Sequence, residues 1–417
     1  MEKKWLFVLS SCLVNGCASA HDWDARINGE ITLASQQNRD RETLLVAEPS
    51  SFEIEKRYVT VTPVINFEAS SDNLRIEGQL RGEIQRGGDF NNEQGVIDEL
   101  YAEYMLMSNL FVFAGRRNVA FGQAESSYIF DVFVDPLEIN ITKNIDRRRR
   151  EVVGENMAGF EILLTPELVF AGYVLPEQEQ HHTGEHPARG LATLSWLLPW
   201  QADAQLLMLD DDRSGVGFAY AQTLGDALLL YAEGMKRNKR DRGHITIQNM
   251  NLTMHLPESE LFGQLTLGGN YIFTNSLALT VEYYHDQNGY SGTEWENIAD
   301  IISTSNTALA NTNSAIHDSA SGNLLRLNGV LRHYTLRRNY VFLRLSHPEF
   351  VGSAITSELS IFHNLDDGSG IVSSRFEIDL DKGDAGLYAR SAYGDGGDEF
   401  KLRGPNQMAK VYWSLQF

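Results

Sequence analysis

Leu74-Arg75-Ile76-Glu77-Gly78-Gln79-Leu80-Arg81-Gly82-Glu83-Ile84-Gln85 separates into two sets when taken two residues at a time. The even positions are apolar or side-chain-free; the odd ones are charged or amide. A period of two puts the sets on opposite faces of a strand, whereas a helix would scatter both around its circumference. The stretch is about twice the usual length of a globular strand. A strand of about ten residues with one apolar face fits a tilted crossing of a bilayer. Alone, the stretch fits a long hairpin in a soluble sheet equally well. Recurrence of the pattern decides between the two.

The pattern recurs along the whole chain. Strands are expected over 26–33, 58–69, 74–85, 97–106, 110–117, 156–164, 168–175, 190–198, 202–209, 215–224, 227–235, 263–273 and 277–284, then over 339–346, 355–362, 372–380, 385–393 and 409–417. Connections alternate between short and long, as periplasmic turns and extracellular loops do. Short ones such as Ser71-Asp72-Asn73, Ser108-Asn109 and Gly225-Asp226 carry residues that tolerate turn geometry. Residues 87–95, 177–187 and the stretch from 236 to about 260 read as loops. Within 286–335 a short helix is expected over 295–309. Residues 323–334 could be one more strand, but both ends of such a barrel lie on one side, so its strand number is even. They are therefore assigned to the outer loop as a projecting hairpin. The predicted fold is all-β: a transmembrane up-and-down antiparallel β-barrel of about 18 strands.

The N-terminus supports export. Met1-Glu2-Lys3-Lys4, an apolar run from Trp5 to Val14, and Ala18-Ser19-Ala20 read as a signal peptide over 1–20, leaving a single barrel domain over 21–417. Gly16-Cys17 offers a lipoprotein alternative, with a poor match at Val14-Asn15. Both cysteines, Cys12 and Cys17, fall inside the signal, so no disulfide or thiolate metal site is expected in the mature chain. No later apolar run reaches the length of a membrane helix. A closed barrel still crosses a bilayer, because closure pairs every backbone group. Formal net charge is −21, from 35 Lys+Arg against 56 Asp+Glu, which argues against nucleic-acid binding.

If one face of each strand meets lipid, the charged face meets water, since unpaired buried charge is prohibitively costly. Eighteen strands spaced ~4.8 Å apart and tilted ~40° enclose a cylinder roughly 35 Å across. Strand side chains alone do not fill that width, so a channel or a loop plug is expected. Arg75, Glu77, Arg81, Glu83, Glu99, Glu103, Glu282, Arg344, Glu358, Arg375, Glu377 and Arg390 are the candidate lumen residues. Both signs occur, which sets weak selectivity and not a single-sign filter. The excursion 119–152 carries Gln123, Glu125, Tyr128, Asp131 and Asp135, then Arg147, Arg148, Arg149 and Arg150 between Asp146 and Glu151. Folded inward, it would narrow the channel and set arginines beside aromatics, a combination that suits an acidic saccharide. Left outside, it is a solvated run that could touch lipopolysaccharide phosphates. Both readings stay open.

Two resemblances enter here. Val411, Trp413, Leu415 and Phe417 alternate with polar residues to the end of the chain, and a terminal Phe on such a strand resembles the signature read by the outer-membrane barrel assembly machinery. Leu100-Tyr101-Ala102-Glu103-Tyr104, Gly115-Arg116-Arg117 and the segment from Tyr128 through Asp131 to its arginines resemble the alginate-export type of outer-membrane barrel. That resemblance implies eighteen strands and an arginine-bearing constriction passing an anionic polysaccharide. It also implies that Arg116 or Arg117 points into the pore; residues 110–117 are too apolar on both faces to say which. Glu282-Tyr283-Tyr284 and 364–370 are similar to related substrate-specific porins.

Other chemistry finds little footing. His181, His182, His186 and Glu185 could ligate a metal on an outer loop, and Asp210-Asp211-Asp212 or 395–399 could hold calcium; solvated loop tips are the better reading of each. No phosphate-cradling or dinucleotide motif occurs, and no cofactor is expected. The expectation is a passive channel in a Gram-negative outer membrane. Its partners would be lipids, lipopolysaccharide, the assembly machinery through Phe417, and a hydrophilic or saccharide solute. Two rivals are a rim hydrolase built on residues such as His244, His255 or His285, and a plugged structural or adhesion barrel.

Overall fold

A computed structural model describes residues 23–39, 57–88, 90–127, 129–130, 132, 153–180, 184–211, 214–240, 242–248, 251–255, 261–309, 313–330, 335–350, 355–402 and 406–417. The signal segment, Tyr128, Asp131, Asp135, Arg147 to Arg150, His181, His182 and Asp212 lie outside the described residues.

Eighteen strands form one antiparallel sheet. The first seven are β1 (Asp24–Arg39), β2 (Arg57–Ser70), β3 (Leu74–Gly87), β4 (Phe90–Met107), β5 (Leu110–Arg117), β6 (Glu155–Thr165) and β7 (Leu168–Leu175). A small hairpin, β8 (Gln178–Gln180) with β9 (Gly184–His186), precedes β10 (Arg189–Leu198), β11 (Ala202–Asp210), β12 (Gly215–Leu224) and β13 (Leu228–Arg237). A second hairpin, β14 (His244–Gln248) with β15 (Asn251–His255), precedes β16 (Phe262–Ile272) and β17 (Ala278–Asp286). Helices α1 (Gly292–Leu309) and α2 (Ser314–Val330) follow, then β18 (Asn339–His347), β19 (Ile355–Asn364), β20 (Gly370–Leu380), β21 (Gly383–Tyr393), the short α3 (Glu399–Leu402) and β22 (Gln407–Gln416).

Each strand pairs with its neighbour in chain order, and β22 pairs with β1, so the sheet closes and no edge remains. Closure reaches the last residue. Gly29 N donates to Phe417 O and Phe417 N donates to Gly29 O, each at 2.9 Å. Gly29 is needed there, because a Cβ would lie 2.5 Å from the Phe417 ring.

Every stretch expected to cross forms a barrel strand. Residues 87–95 are mostly strand as well: β3 runs to Gly87 and β4 starts at Phe90, so the hairpin stands tall at its long-loop end. Residues 323–330 form helix and not the expected hairpin. This described part of 323–334 belongs to α2, where Leu324 and Leu327, three residues apart on one helical face, are both fully buried. The helix α1 starts in a reciprocal cap: Ser291 N and Oγ each donate to Glu294 at 2.9 Å, and Glu294 N donates to Ser291 Oγ at 3.3 Å. With the β14–β15 hairpin the helices build a second core at the long-loop end, from Ile245, Tyr290, Trp295, Ile298, Ile302 and Leu324 among others. No helix among the described residues is long and apolar enough to cross a membrane, which says nothing of strands.

The outward face is apolar all round: Ile27, Ile65, Leu100, Leu206, Leu267, Leu343 and Val411 are all exposed. The inward face departs from the expectation that it is charged throughout. On the arc from β5 round to β13, Phe113, Met157, Tyr173, Leu191, Leu207, Leu209 and Met235 point inward and are buried. Apart from inward charges at Arg117, Glu161 and Glu233, those strands are largely apolar on both faces, which is the pattern of a wall that has something packed against each side.

Candidate functional site

The material packed inside is the first part of the excursion after β5. Phe121, Ile129 and Phe130 join the inward apolar side chains in one cluster. Phe121 meets Tyr173 edge-on, with ring centroids 6.0 Å apart. From there the loop is pinned by carboxylates of the far wall. Glu233 on β13 accepts the amide of Ala124 at 2.8 Å and that of Gln123. Glu282 on β17 accepts the amides of Glu125 and Ser126, both at 2.7 Å. Ser127 Oγ lies 2.5 Å from Thr266 Oγ1 on β16. Arg344 on β18 reaches Glu125 at 2.5 Å.

The span follows from the strand order. Passing β6, β7, β10, β11, β12, β13, β16 and β17, β18 is the ninth strand on from β5 in a ring of eighteen. The loop therefore crosses the lumen from its root to the opposite side. Glu233, Glu282 and Thr266 are each 2 % exposed or less. Such carboxylates are sustained inside because backbone N–H donors satisfy them. Tyr231 adds its hydroxyl to Glu282. Gly122, at φ +79°, lets the chain pass the Glu233 carboxylate, which a Cβ would meet at 2.5 Å.

The remaining wall, from β19 round through β22 and β1 to β4, is polar inside. Its cations are paired with anions across the strands. Arg81 makes a two-pronged bond to Asp98, 2.9 Å on each prong. Arg75 pairs with Glu68 at 3.1 Å and with Glu77. Where this wall meets the apolar arc, Arg117 on β5 lies 3.2 Å from Glu161 on β6 and 3.7 Å from Glu103 on β4, and stacks over Phe113 at 4.5 Å and Tyr101 at 5.0 Å. Arg375 donates to the Tyr412 hydroxyl at 3.0 Å, pairs with Glu377 and lies over the Tyr412 ring. The result is a ladder of alternating charge with aromatic rungs at Tyr101 and Tyr412.

Most candidate lumen residues fall on this ladder or on the loop's anchors. Glu83 accepts Gln94 at 3.3 Å, and Glu99 accepts the Asn118 amide at 2.8 Å at the root of the loop. Arg390 lies on β21 opposite Ser373 and Met408. Arg116 is the exception. It pairs with Leu100, which is exposed on the outer face, so its side chain leaves the wall outward while Arg117 enters the lumen. Arg147, Arg148, Arg149 and Arg150 lie outside the described residues.

Three functional residues escape a period-of-two reading. Asp98 is 1 % exposed and faces inward beside Glu99, because the β3–β4 register slips by one residue between Gln79 and Leu80. The adjacent acids Asp98-Glu99 in an alternating strand were the available signal. Glu233 and Thr266 were marked only as single polar residues in apolar inward rows.

No protein-family model matches the chain, and no curated protein matches it. Solved structures do. The OccK1 (OpdK) structure with vanillate from Pseudomonas aeruginosa superposes with a TM-score of 0.56 at 9 % identity, covering 94 % of this chain and 98 % of that one. OccK5 (OpdH) gives 0.55 at 8 %, covering 94 % and 98 %, and OccK11 (OpdR) gives 0.54 at 9 %, covering 94 % and 96 %, both from the same organism. These neighbours are outer-membrane porins. At such identities the likeness shows the fold: a closed eighteen-stranded antiparallel barrel. It gives no support to the specificity implied by the alginate-export resemblance.

Proposed function

We propose that the protein is a passive outer-membrane channel for a hydrophilic solute, with the Gln123–Ser127 crossing as its constriction. The observation that carries this reading is the crossing loop itself. Backbone amides from Gln123 to Ser126 are held by two buried carboxylates on the far wall, while the β19–β4 arc keeps a polar, charge-alternating inner surface. A wall of paired charges favours no ion strongly and offers a hydrated path. The barrel likeness to outer-membrane porins supports the location.

The finer reading is an acidic oligosaccharide or polysaccharide as passenger. Arg117 with Tyr101, and Arg375 with Tyr412, each combine a guanidinium with a ring. Guanidinium forks match carboxylates and aromatic faces suit sugar rings. Because each arginine already has a carboxylate partner, a uronate would bind by exchange, briefly, and then move on. The carboxylates of Glu233 and Glu282 are taken up by backbone amides of the loop and act as anchors, which favours a channel over a hydrolase at this cluster.

The test is single-channel recording of the purified protein, with uronic-acid and neutral oligosaccharides of equal length added to one side. Conductance steps with longer blockades by the acidic sugar are expected. Steps without discrimination would remove the saccharide reading. Absence of steps would remove the channel and favour a plugged barrel.

A further inference from the structure

The outer surface carries a cationic stripe that the channel does not use. On β2 the outward row Phe67, Ile65, Pro63, Val61 and Val59 ends at Arg57; on β3 the outward row ends Ile84, Arg86. On β1 the outward residues after Leu33 are Ser35, Gln37 and Arg39. Register joins the three arginines. Gln37 faces Arg57 and Val59 faces Arg86, so Arg39, Arg57 and Arg86 are successive diagonal neighbours, ~7–8 Å apart at each step. All three are exposed, and the Arg57 side chain makes no hydrogen bond or ion pair with another described residue. Arg39 touches Gln407 at 3.2 Å, and Arg86 pairs with Glu93. Along the long-loop end of the other described strands, the outward face shows no comparable group; β5 has Arg116 and β13 has Lys236.

Beside this stripe the outer wall is hollowed. One register row runs Leu359, Ser374, Ala389, Ala409, Gln37 and on to Arg57. Its middle members are small, and they floor an open concavity of about 720 Å³ whose end is Arg39. A trough floored by Ser374, Ala389 and Ala409 and ending at Arg39, the first of the three diagonal arginines, matches an amphiphile with acyl chains and a phosphorylated head.

We infer that this face, Arg39, Arg57 and Arg86 with the adjoining trough, is a binding site for one lipopolysaccharide molecule, lipid A phosphates on the arginines and an acyl chain along Ser374, Ala389 and Ala409. The inference rests on the outer-membrane placement proposed above and not on conduction. Arginine binds phosphate through paired N–H donors, and such bonds strengthen at a membrane surface of low dielectric.

Native mass spectrometry of the full-length protein in detergent tests it, titrating bis-phosphorylated lipid A and the same lipid without phosphates. The phosphorylated lipid is expected to bind at least ten-fold more tightly. R39Q/R57Q/R86Q should remove that difference, while K236Q on the far wall keeps it. Ala389→Trp, which fills the trough, should weaken both lipids. Single-channel conductance should be unchanged in all of these. Equal binding of the two lipids by the native protein overturns the headgroup site, whether or not the triple variant folds. Full binding by A389W overturns the trough, and lipid-free dimers or trimers blocked by A389W assign it to a second copy instead. Lipid binding by a protein that conducts nothing would sink the channel reading and leave this one standing.

Discussion

Glu282 on β17 accepts the main-chain amide of Glu125 at 2.7 Å, a bond between the barrel wall and a loop rooted eight strands away. The Ser126 amide shares the same carboxylate, and Glu233 takes the two amides before them. Charge-assisted bonds of this kind contribute about 1.5–3 kcal/mol each. Removing both acceptors with E233A/E282A leaves the loop held by its apolar contacts, by Arg344, by the Ser127–Thr266 hydroxyl bond and by Arg189 on Val132 O. The barrel itself, closed by backbone pairing, should survive. The expected outcome is a conductance at least two-fold higher with noisier open states, while the heat-modifiable mobility of the folded barrel in gels is retained. Unchanged conductance would show that the loop does not limit the passage.

Arg81 and Asp98 make a sharper case than alternation alone suggests. Alternation predicts that Arg81→Leu merely alters ion selectivity. The two-pronged pair, with the Asp98 side chain 1 % exposed, makes it a stability residue too. Losing the guanidinium takes two charge-assisted bonds from a buried carboxylate, which costs about 3 kcal/mol or more. Leu80→Arg, on the lipid face one residue away, should cost a similar ~2–4 kcal/mol through a different cause. Denaturant titration of refolded barrels should find both variants destabilised. Adding Asp98→Asn should restore stability to Arg81→Leu and further weaken Leu80→Arg, in which Arg81 then loses its carboxylate partner.

The contrast shows how far the residues could be read. Leu74 to Gln85 announces a strand with one apolar outer face because its two faces differ, and the same rule places the amphipathic strands of the barrel. The rule fails where faces do not differ. Tyr173, Leu191 and Leu207 look like a strand buried on both sides, and nothing local says that Phe121 and Phe130 fill the space. It fails again at Asp98, where a one-residue slip turns two neighbours the same way. The helix α2 was missed because strand parity could exclude 323–334 from the wall without saying what they form. The spacing of Leu324 and Leu327 held the answer. The anchors Glu233 and Glu282 needed the ring to be closed first, since each meets residues more than 100 positions away.

Gly29 and Phe417 close the barrel, and their contact is testable by coupling. A Cβ on residue 29 would lie 2.5 Å from the Phe417 ring and 3.2 Å from the Val64 carbonyl oxygen. Gly29→Ala should therefore cost about 1 kcal/mol, the lower range for overpacking, as the ring is driven outward. Phe417→Ala loses the ring's packing yet keeps the backbone bonds to residue 29. In the double variant the clash has no partner, so its cost should fall short of the sum by at least 0.5 kcal/mol, a difference within reach of a double-mutant cycle. Additive costs would show that the ring yields freely and that the glycine serves another purpose.

The helical cap should come loose in acid before the barrel does. Burial alone would raise the Glu294 carboxyl. The Ser291 amide, the His244 ring at 2.8 Å and Arg240 at 3.3 Å outweigh it and hold the group down at about 2. A carboxyl depressed in the folded state contributes its stabilisation above the unfolded value of 4.5, and loses it as pH falls from there towards about 2. Below that window α1 loses both its reciprocal cap and its tie to the β14–β15 hairpin. Hydrogen exchange measured from pH 6 to pH 2, corrected for intrinsic rates, should show protection of 292–309 falling through this range while β1–β4 stay protected. Glu294→Gln should lose most of that protection at pH 6 and show a flat profile below it. A native profile flat to pH 2, or one unchanged by the substitution, would place the acid-sensitive group elsewhere.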